Sequence, residues 1–391
     1  TERFHRYQAV IDEMLQQGLA YRCDCTRERL DALREEQMAQ QVKPRYDGRC
    51  RERAVDPGTP HVVRFRNPDA GEVLVEDLIR GEVRFRNEEL DDLIMRRTDG
   101  SPTYNLTVVV DDLDMDITHV IRGDDHVNNT PRQINILRAL GQEPPQYAHV
   151  PMILGDDGAR LSKRHGALSV VAYRDQGFLP EALLNYLVRL GWSHGDQEVF
   201  SLDEMVQLFE LDAVNRAPSS FNTEKLLWLN QHYLKESDPA RIAHLLSSHL
   251  GDLGIDPAEG PDLLEVIRAQ RERANTLVEL AQISAFYYRD FDAIDEKAAK
   301  KAFKAGADEA LDAVRVKLAG LADWQRAEIH GAVDLAVKEL GVGFGKVAMP
   351  LRTAVTGGSP SPDLDLTLFL VGRDATVRRI DKAIETIRAK S

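Results

Sequence analysis

Long apolar runs are missing from this chain. No stretch approaches the ~20 residues that a helix needs to cross a bilayer, so no membrane span is expected. No signal peptide is visible either. Cysteine is scarce, with three in 391 residues. So small and odd a count does not build the disulfide framework of a secreted domain, and a reducing, cytoplasmic location is expected. An excess of positive charge is also missing, since the net charge is −14. That excludes a uniformly basic body, but it leaves room for a local basic stripe that meets nucleic acid. There is no internal repeat and no long low-complexity segment.

What is there reads as an ordinary soluble chain, 43% hydrophobic and 29% charged. Its length predicts roughly two to four domains with ample core. Phe4, Tyr7, Val10, Ile11, Met14 and Leu15 share one face of an opening helix, and Gly18 is its stop. A cysteine-bearing region, 21–53, follows. Val63 and Phe65 then alternate with Arg64 and Arg66, as Val83 and Phe85 do with Arg84 and Arg86. This predicts a small mixed insertion with its own sheet and its arginines opposite the apolar face. From about 104 the pattern turns α/β, with strands expected at 106–110 and 117–122. Thr130 and Pro131 then start a helix that Gly141 closes. The pattern predicts a parallel sheet with a ligand site at its strand ends. Beyond Gly166 the chain is mainly helical, through Pro180–Leu190, a capping box at 201–204, a long helical tract over about 240–340, and a last amphipathic helix carrying Val377, Ile380, Ile384 and Ile387.

The most informative stretch is Arg160-Leu161-Ser162-Lys163-Arg164-His165-Gly166. It follows a strand-like run, 147–154, and a turn, Gly155-Asp156-Asp157-Gly158. A strand feeding a cationic loop suits polyphosphate, because lysine brings a movable charge and hydroxyl and backbone donors fix the oxygens. The loop resembles the KMSKS signature of class I aminoacyl-tRNA synthetases, in the form typical of glutamyl-tRNA synthetases. Ser101-Pro102-Thr103-Tyr104-Asn105, Val110-Asp111-Asp112, Val120-Ile121-Arg122-Gly123-Asp124-Asp125-His126 and Asn129-Thr130-Pro131-Arg132-Gln133 match the same family, in order and spacing. Arg160 stands where the signature usually has its first lysine. A planar guanidinium keeps the charge but not an ammonium's contacts.

The family's HIGH-type motif, expected near the N-terminus, is not found in this sequence, which goes straight from Thr1 into the first helix. A truncated form, inactive by itself, is therefore the expectation. The resemblance implies an incomplete Rossmann-like catalytic domain with an inserted acceptor-binding domain, followed by helical stem-contact and helical anticodon-binding domains. The expected bounds are 1–20 and 104–156 for the two parts of the catalytic fold, 21–103 for the insertion, 157–239 for the signature loop and stem-contact domain, and 240–391 for the anticodon domain. The implied reaction joins ATP and L-glutamate into glutamyl-adenylate and passes the glutamyl group to tRNA-Glu. ATP and Mg2+ are the implied cofactors, and a monomer is expected.

By the same resemblance Arg122 reads the γ-carboxylate of glutamate and Tyr104 supplies a hydroxyl. A plainer alternative pairs Arg122 with Asp124 or Asp125 as scaffold. Asp125 and His126 lie where adenosine would sit. Lys163, assisted by Arg160 and Ser162, stabilises the phosphates in the transition state. Arg352 falls in the anticodon-binding part and is a candidate tRNA contact.

Cys23, Cys25 and Cys50 are all the cysteines of the chain. Two thiolates one residue apart with a third further on suit a tetrahedral structural Zn2+. The fourth ligand is Tyr46, Glu52 or water. Some relatives carry a histidine where Glu52 stands. Other readings remain open: a tRNA-binding fragment without catalysis, and a non-discriminating enzyme that also charges tRNA-Gln. The glutaminyl relative usually ends in β-barrels, and the queuosine-glutamylating paralogue lacks an anticodon domain. The helical C-terminal half argues against both.

Overall fold

The computed structural model describes residues 2–155, 157–161 and 169–389. They fall into two compact units. One takes residues 1–161, 189–198 and 204–221, and the other takes 162–188, 199–203 and 222–391. Among the described residues no helix is long and apolar enough to cross a membrane.

The first unit opens on α1 (Phe4–Gln16), whose buried face is Tyr7, Val10, Ile11 and Met14. Phe4 is 47% exposed, so the apolar stripe starts one turn later than its spacing suggests. Gly18 stops the helix with φ at 73°, a conformation that a side chain disfavours. Next come β1 (Ala20–Cys23), α2 (Arg27–Ala39), β2 (Val62–Phe65), the hairpin β3 (Glu72–Asp77) and β4 (Gly81–Arg86), and β5 (Ile94–Arg96). Strands β1, β2 and β5 form an antiparallel sheet. Its apolar side chains Ala20, Val63, Phe65 and Met95 pack with the inner face of α1 in one core.

The expected strand at 106–110 is a helix instead, α3 (Tyr104–Asp114). Its β-branched run, Thr107 to Val110, has strand propensity. Leu106, Val109 and Val110, however, sit at helical spacing and are buried against α1 and the next helix. Tertiary packing overrides the local preference here. The strand β6 (His119–Gly123), the helix α4 (Thr130–Ala139) and the strands β7 (Gln146–Val150) and β8 (Ile153–Leu154) complete the ligand-facing part. The run at 147–154 is broken in two at Pro151, which has no N–H to donate. Strand β8 pairs in parallel with β9 (Ser219–Ser220).

The insertion has its own sheet in β1, β2 and β5, and a second correction concerns its hairpin. The β3–β4 hairpin does not stand alone: the order is β4-β3-β7-β6, with β7 parallel to both β3 and β6. Tyr147 lies opposite Asp77, and the Leu78 N–H donates to the Tyr147 carbonyl at 2.9 Å. The hairpin thus completes the sheet that carries Arg122.

In the second unit the described elements are helices. The largest core lies among 307–319, 326–340, 345–356, 364–371 and 373–388. Arg379 crosses it, 6% exposed. Its Nη1 donates to the Val355 carbonyl at 2.8 Å. Its Nη2 donates to the Phe286 and Arg289 carbonyls, each at 2.9 Å, and Nε meets Asp290 at 2.9 Å. One guanidinium thereby satisfies carbonyls of two helix ends.

Two outcomes are expected. Replacing Arg379 with methionine leaves three buried carbonyls and should cost about 3 kcal/mol, read from urea unfolding. The second outcome is a pH effect. Asp114 on α3 is held down at about 2 by Arg6, then by Arg3, both at the start of α1. A depressed carboxylate stabilises above its ordinary value near 3.8. That contribution should fade as pH falls through about 2, and Asp114→Asn should flatten the acid limb of the first unit's stability curve.

Candidate functional site

Strand β6 ends in Arg122 and Gly123, at the carboxyl ends of parallel strands, where open α/β sheets bind ligands. Arg122 is half-buried. Its Nε donates to His149 Nε2 at 3.3 Å. Its Nη2 donates to Thr130 Oγ1 and Gln133 Oε1, both at 2.8 Å. The guanidinium lies 5.7 Å from the centre of the Tyr147 ring. Among the described residues these bonds fall on Nε and Nη2, which leaves the Nη1 edge for an anion. The scaffold alternative is not what the structure holds. Asp124 pairs with Arg80 at 2.5 Å, and Asp125 pairs with Arg160 at 3.0 Å.

Tyr104 opens α3 and is 47% exposed. Its hydroxyl lies 3.3 Å from His126 Nδ1, and the two rings are 5.5 Å apart. Gln133 links this corner to Arg122, since its Nε2 donates to Asn105 Oδ1 at 3.0 Å. Tyr104, Arg122 and His126 are therefore tied into one region by α4 and the 124–129 turn. Gly123 has an ordinary φ, but a Cβ there would stand 2.6 Å from Asp125 Oδ1. A glycine is required for that carboxylate to keep its place. Ser162 and Lys163 lie outside the described residues. Of the signature loop, Arg160 is seen in its pair with Asp125.

His149 and Asp77 escape the sequence reading. His149 is 1% exposed on β7. Its Nδ1 is 2.5 Å from Asp77 Oδ2. Asp77 Oδ1 accepts the N–H groups of Ile79 and Arg80 at 3.0 and 2.8 Å. Burial lowers the His149 pKa, against the pull of Asp77. For Asp77 burial acts upward, but the Arg80 N–H and His149 outweigh it and the carboxyl is lowered. The available signal was a histidine inside a strand of otherwise apolar burial.

The cysteines form a second centre. The Cys23, Cys25 and Cys50 sulfurs lie within 4.8 Å of one another. The Tyr46 oxygen is 3.5 Å from Cys23 Sγ and 3.6 Å from Cys25 Sγ, and it accepts the Cys50 N–H at 2.9 Å. Glu52 is elsewhere: its carboxylate is 86% exposed and pairs with Arg66 at 2.7 Å. Burial pushes the Cys50 thiol up to about 11 and raises the Tyr46 phenol further. Three soft donors with a buried phenol beside them have the chemistry of a zinc site. The core around them is small, comprising Tyr21, Val55, Leu30 and Val62 besides the site itself.

The strand arginines do not form an open positive face. Arg64 is 5% exposed, stacked 4.1 Å over the Tyr46 ring, with Nη1 on the Asp92 carbonyl at 2.8 Å. Arg84 and Arg86 are exposed but paired with Glu82 and Glu88, at 2.6 and 2.9 Å. In the second unit Arg352 Nη1 donates to the Ser361 carbonyl at 3.2 Å, and also to Ser361 Oγ and the Pro362 carbonyl. Burial, and then Arg273, lower its pKa.

Known proteins share this arrangement. Residues 1–228 match the family of class I tRNA synthetases (E and Q), catalytic domain, and residues 241–384 match an anticodon-binding domain. The chain is 61% identical over 390 residues to glutamate–tRNA ligase 1 of Alkalilimnicola ehrlichii, covering 99% of this chain and 83% of that protein. A glutamate–tRNA ligase structure from Elizabethkingia meningosepticum, in complex with its amino acid, superposes with a TM-score of 0.83 at 30% identity. It covers 99% of this chain and 83% of the other. A glutamate–tRNA synthetase from Elizabethkingia anophelis gives 0.80 at 30% identity, covering 98% and 83%.

Proposed function

This chain belongs to the glutamyl-tRNA synthetase family of class I enzymes, and we propose that Arg122 is the residue with which it reads its amino acid. The family's activity is glutamate–tRNA ligation. ATP and L-glutamate give glutamyl-adenylate and pyrophosphate, and tRNA-Glu then takes the glutamyl group. Among the family's branches, the anticodon-binding match over the helical C-terminal half favours the glutamyl one.

One observation carries the reading of Arg122. Neutral acceptors hold its guanidinium on Nε and Nη2, and no carboxylate is hydrogen-bonded to it among the described residues. Its charge is therefore available to the γ-carboxylate of glutamate, which meets the Nη1 edge. Tyr104 adds a hydroxyl at the rim. Asp125 and His126 face the adenosine. Arg160 is held near them by Asp125, which gives the signature loop an anchor on the nucleotide side. Lys163, with Ser162, acts on the phosphates, where negative charge grows as pyrophosphate leaves. The Mg2+ that such enzymes use with ATP would be held mainly by the nucleotide and would neutralise phosphate charge, so few protein ligands are expected.

Cys23, Cys25 and Cys50 are proposed to hold one structural Zn2+, with Tyr46 as the fourth neighbour in place of Glu52. The metal would supply the folding energy that the small core at 21–55 lacks. tRNA-Glu is proposed to meet the insertion through Arg84 and Arg86, and the anticodon domain near the 361–362 turn that Arg352 clasps. A monomer in the cytoplasm completes the reading.

In a form of the enzyme that carries the HIGH-type motif, Lys163→Ala should lower adenylate formation roughly 10²–10³-fold in pyrophosphate exchange with tRNA-Glu present, with the loss in kcat. A change confined to KM would make the lysine a ground-state contact. Elemental analysis should find one zinc per chain in protein purified without chelator. Cys50→Ser should lose the metal, Glu52→Ala should keep it, and Tyr46→Phe should weaken it. Zinc absent from the unmodified protein, with three freely titrating thiols, would refute the site.

A further inference from the structure

Arg122 is an arginine whose reading depends on where its free edge points. A guanidinium on a half-buried strand end has several rotamers, and each would present a different pair of N–H groups to the ligand. The surroundings select one. Thr130 and Gln133, one turn apart on α4, take the two hydrogens of Nη2. The remaining constraint is Nε, and it rests on His149 Nε2.

Arginine nitrogen can only donate. The contact therefore requires a lone pair on His149 Nε2, so the imidazole proton must sit on Nδ1. Asp77 provides for that. Its Oδ2 lies 2.5 Å from Nδ1 and accepts that proton. Its Oδ1 is fixed by the Ile79 and Arg80 N–H groups, and the His149 N–H reaches Oδ2 at 3.1 Å. With its oxygens so engaged, the carboxylate cannot rotate away without leaving buried donors unpaired. Thr130 Oγ1 lies 3.0 Å from the same Nε2 and joins the two arms of the clamp.

We propose that Asp77 and His149 are positioning residues for the amino-acid site: Asp77 locks His149 in its Nδ1–H tautomer, and His149 Nε2 orients Arg122 so that Nη1 faces the substrate carboxylate. This rests on the reading of Arg122 as the glutamate-binding residue. The choice of an imidazole has a physical reason. A carboxylate at the Nε2 position would hold Arg122 as firmly, but it would neutralise the charge that the substrate needs. A neutral acceptor orients without competing. Asp77 carries the negative charge one ring further away.

The test uses the whole chain. Nitrogen-15 NMR of the histidine rings, with His149 assigned by its loss in His149→Gln, should show a protonated Nδ1 and a bare Nε2. In Asp77→Asn the amide oxygen stays with the Ile79 and Arg80 N–H groups, so the NH2 group faces Nδ1 and drives the proton to Nε2. Calorimetric titration with L-glutamate should then show affinity reduced roughly tenfold or more in Asp77→Asn and His149→Leu. His149→Gln, whose side-chain oxygen can stand at the Nε2 position, should bind within about threefold of the unmodified protein. Rescue by glutamine and not by leucine separates positioning from packing. A protonated Nε2 in the unmodified protein overturns the proposal whether or not the variants fold. Unchanged glutamate affinity in a folded His149→Leu also overturns it. Arg122→Ala distinguishes the two levels. If Arg122→Ala abolishes binding while His149→Leu keeps it, the positioning role alone fails. If Arg122→Ala binds as before, the reading of Arg122 fails with it.

Discussion

The buried carboxylate of Asp77 is the constraint on which the rest of the site depends. It ends β3, caps the turn to Ile79 and Arg80, and bonds both the backbone and the ring of His149 on β7. It joins the hairpin β3–β4 to β7 together with the Leu78 backbone bond and the packing of Val73 and Val75 with Tyr147. Burying a charge is unfavourable unless its lone pairs are satisfied. Here three N–H groups and an imidazole satisfy them, which fixes the register of two strands and the tautomer of one ring together. The geometry of Arg122 on the neighbouring strand β6 follows from that tautomer.

Arginines in this chain work in two modes. Arg379 is structural: each of its three nitrogens is bonded, to carbonyls or to Asp290. Arg64 is stacked on Tyr46 and bonded to a carbonyl behind the cysteine cluster. Arg122 is only half-buried, keeps one edge, and has no carboxylate bonded to it among the described residues. A buried arginine is therefore no sign of function by itself. What distinguishes Arg122 is that its partners are neutral and its free edge lies at the ends of parallel strands.

Legibility followed the kind of signal. The α1 face was readable because four apolar residues repeat at helical spacing, and the Cys23, Cys25 and Cys50 grouping was readable because thiol spacing is rare by chance. The run at 106–110 misled because Thr107 and Val108 to Val110 prefer strands locally. Packing of Leu106, Val109 and Val110 between α1 and α4 decides the helix, and those partners are distant in sequence. The shared sheet was hidden for the same reason: β3 and β7 lie about 70 residues apart, and nothing local pairs them. Arg122 was singled out through its motif. Its supports, His149 and Asp77, carry no motif, and a histidine in a strand reads as filler until its two ring nitrogens are seen with different partners.

The same distinction bears on how an acidic chain meets RNA. The body carries −14, and two exposed arginines of the insertion, Arg84 and Arg86, are already paired with glutamates. An exposed pair of this kind is worth only about 0–1 kcal/mol. A phosphate can therefore replace a glutamate at little cost, while the like charges left behind repel the backbone wherever no arginine is offered. Paired arginines on an acidic surface thus act as conditional contacts. They are quiet toward anions in general, because each isolated exchange gains little. They respond to a ligand that presents several phosphates at the spacing of several arginines. On the proposed reading, fit to a particular tRNA arises from the pattern of exchanges and not from bulk attraction. Net charge fails as a guide to this partner because the pairing that lowers the field is also what makes the contact selective.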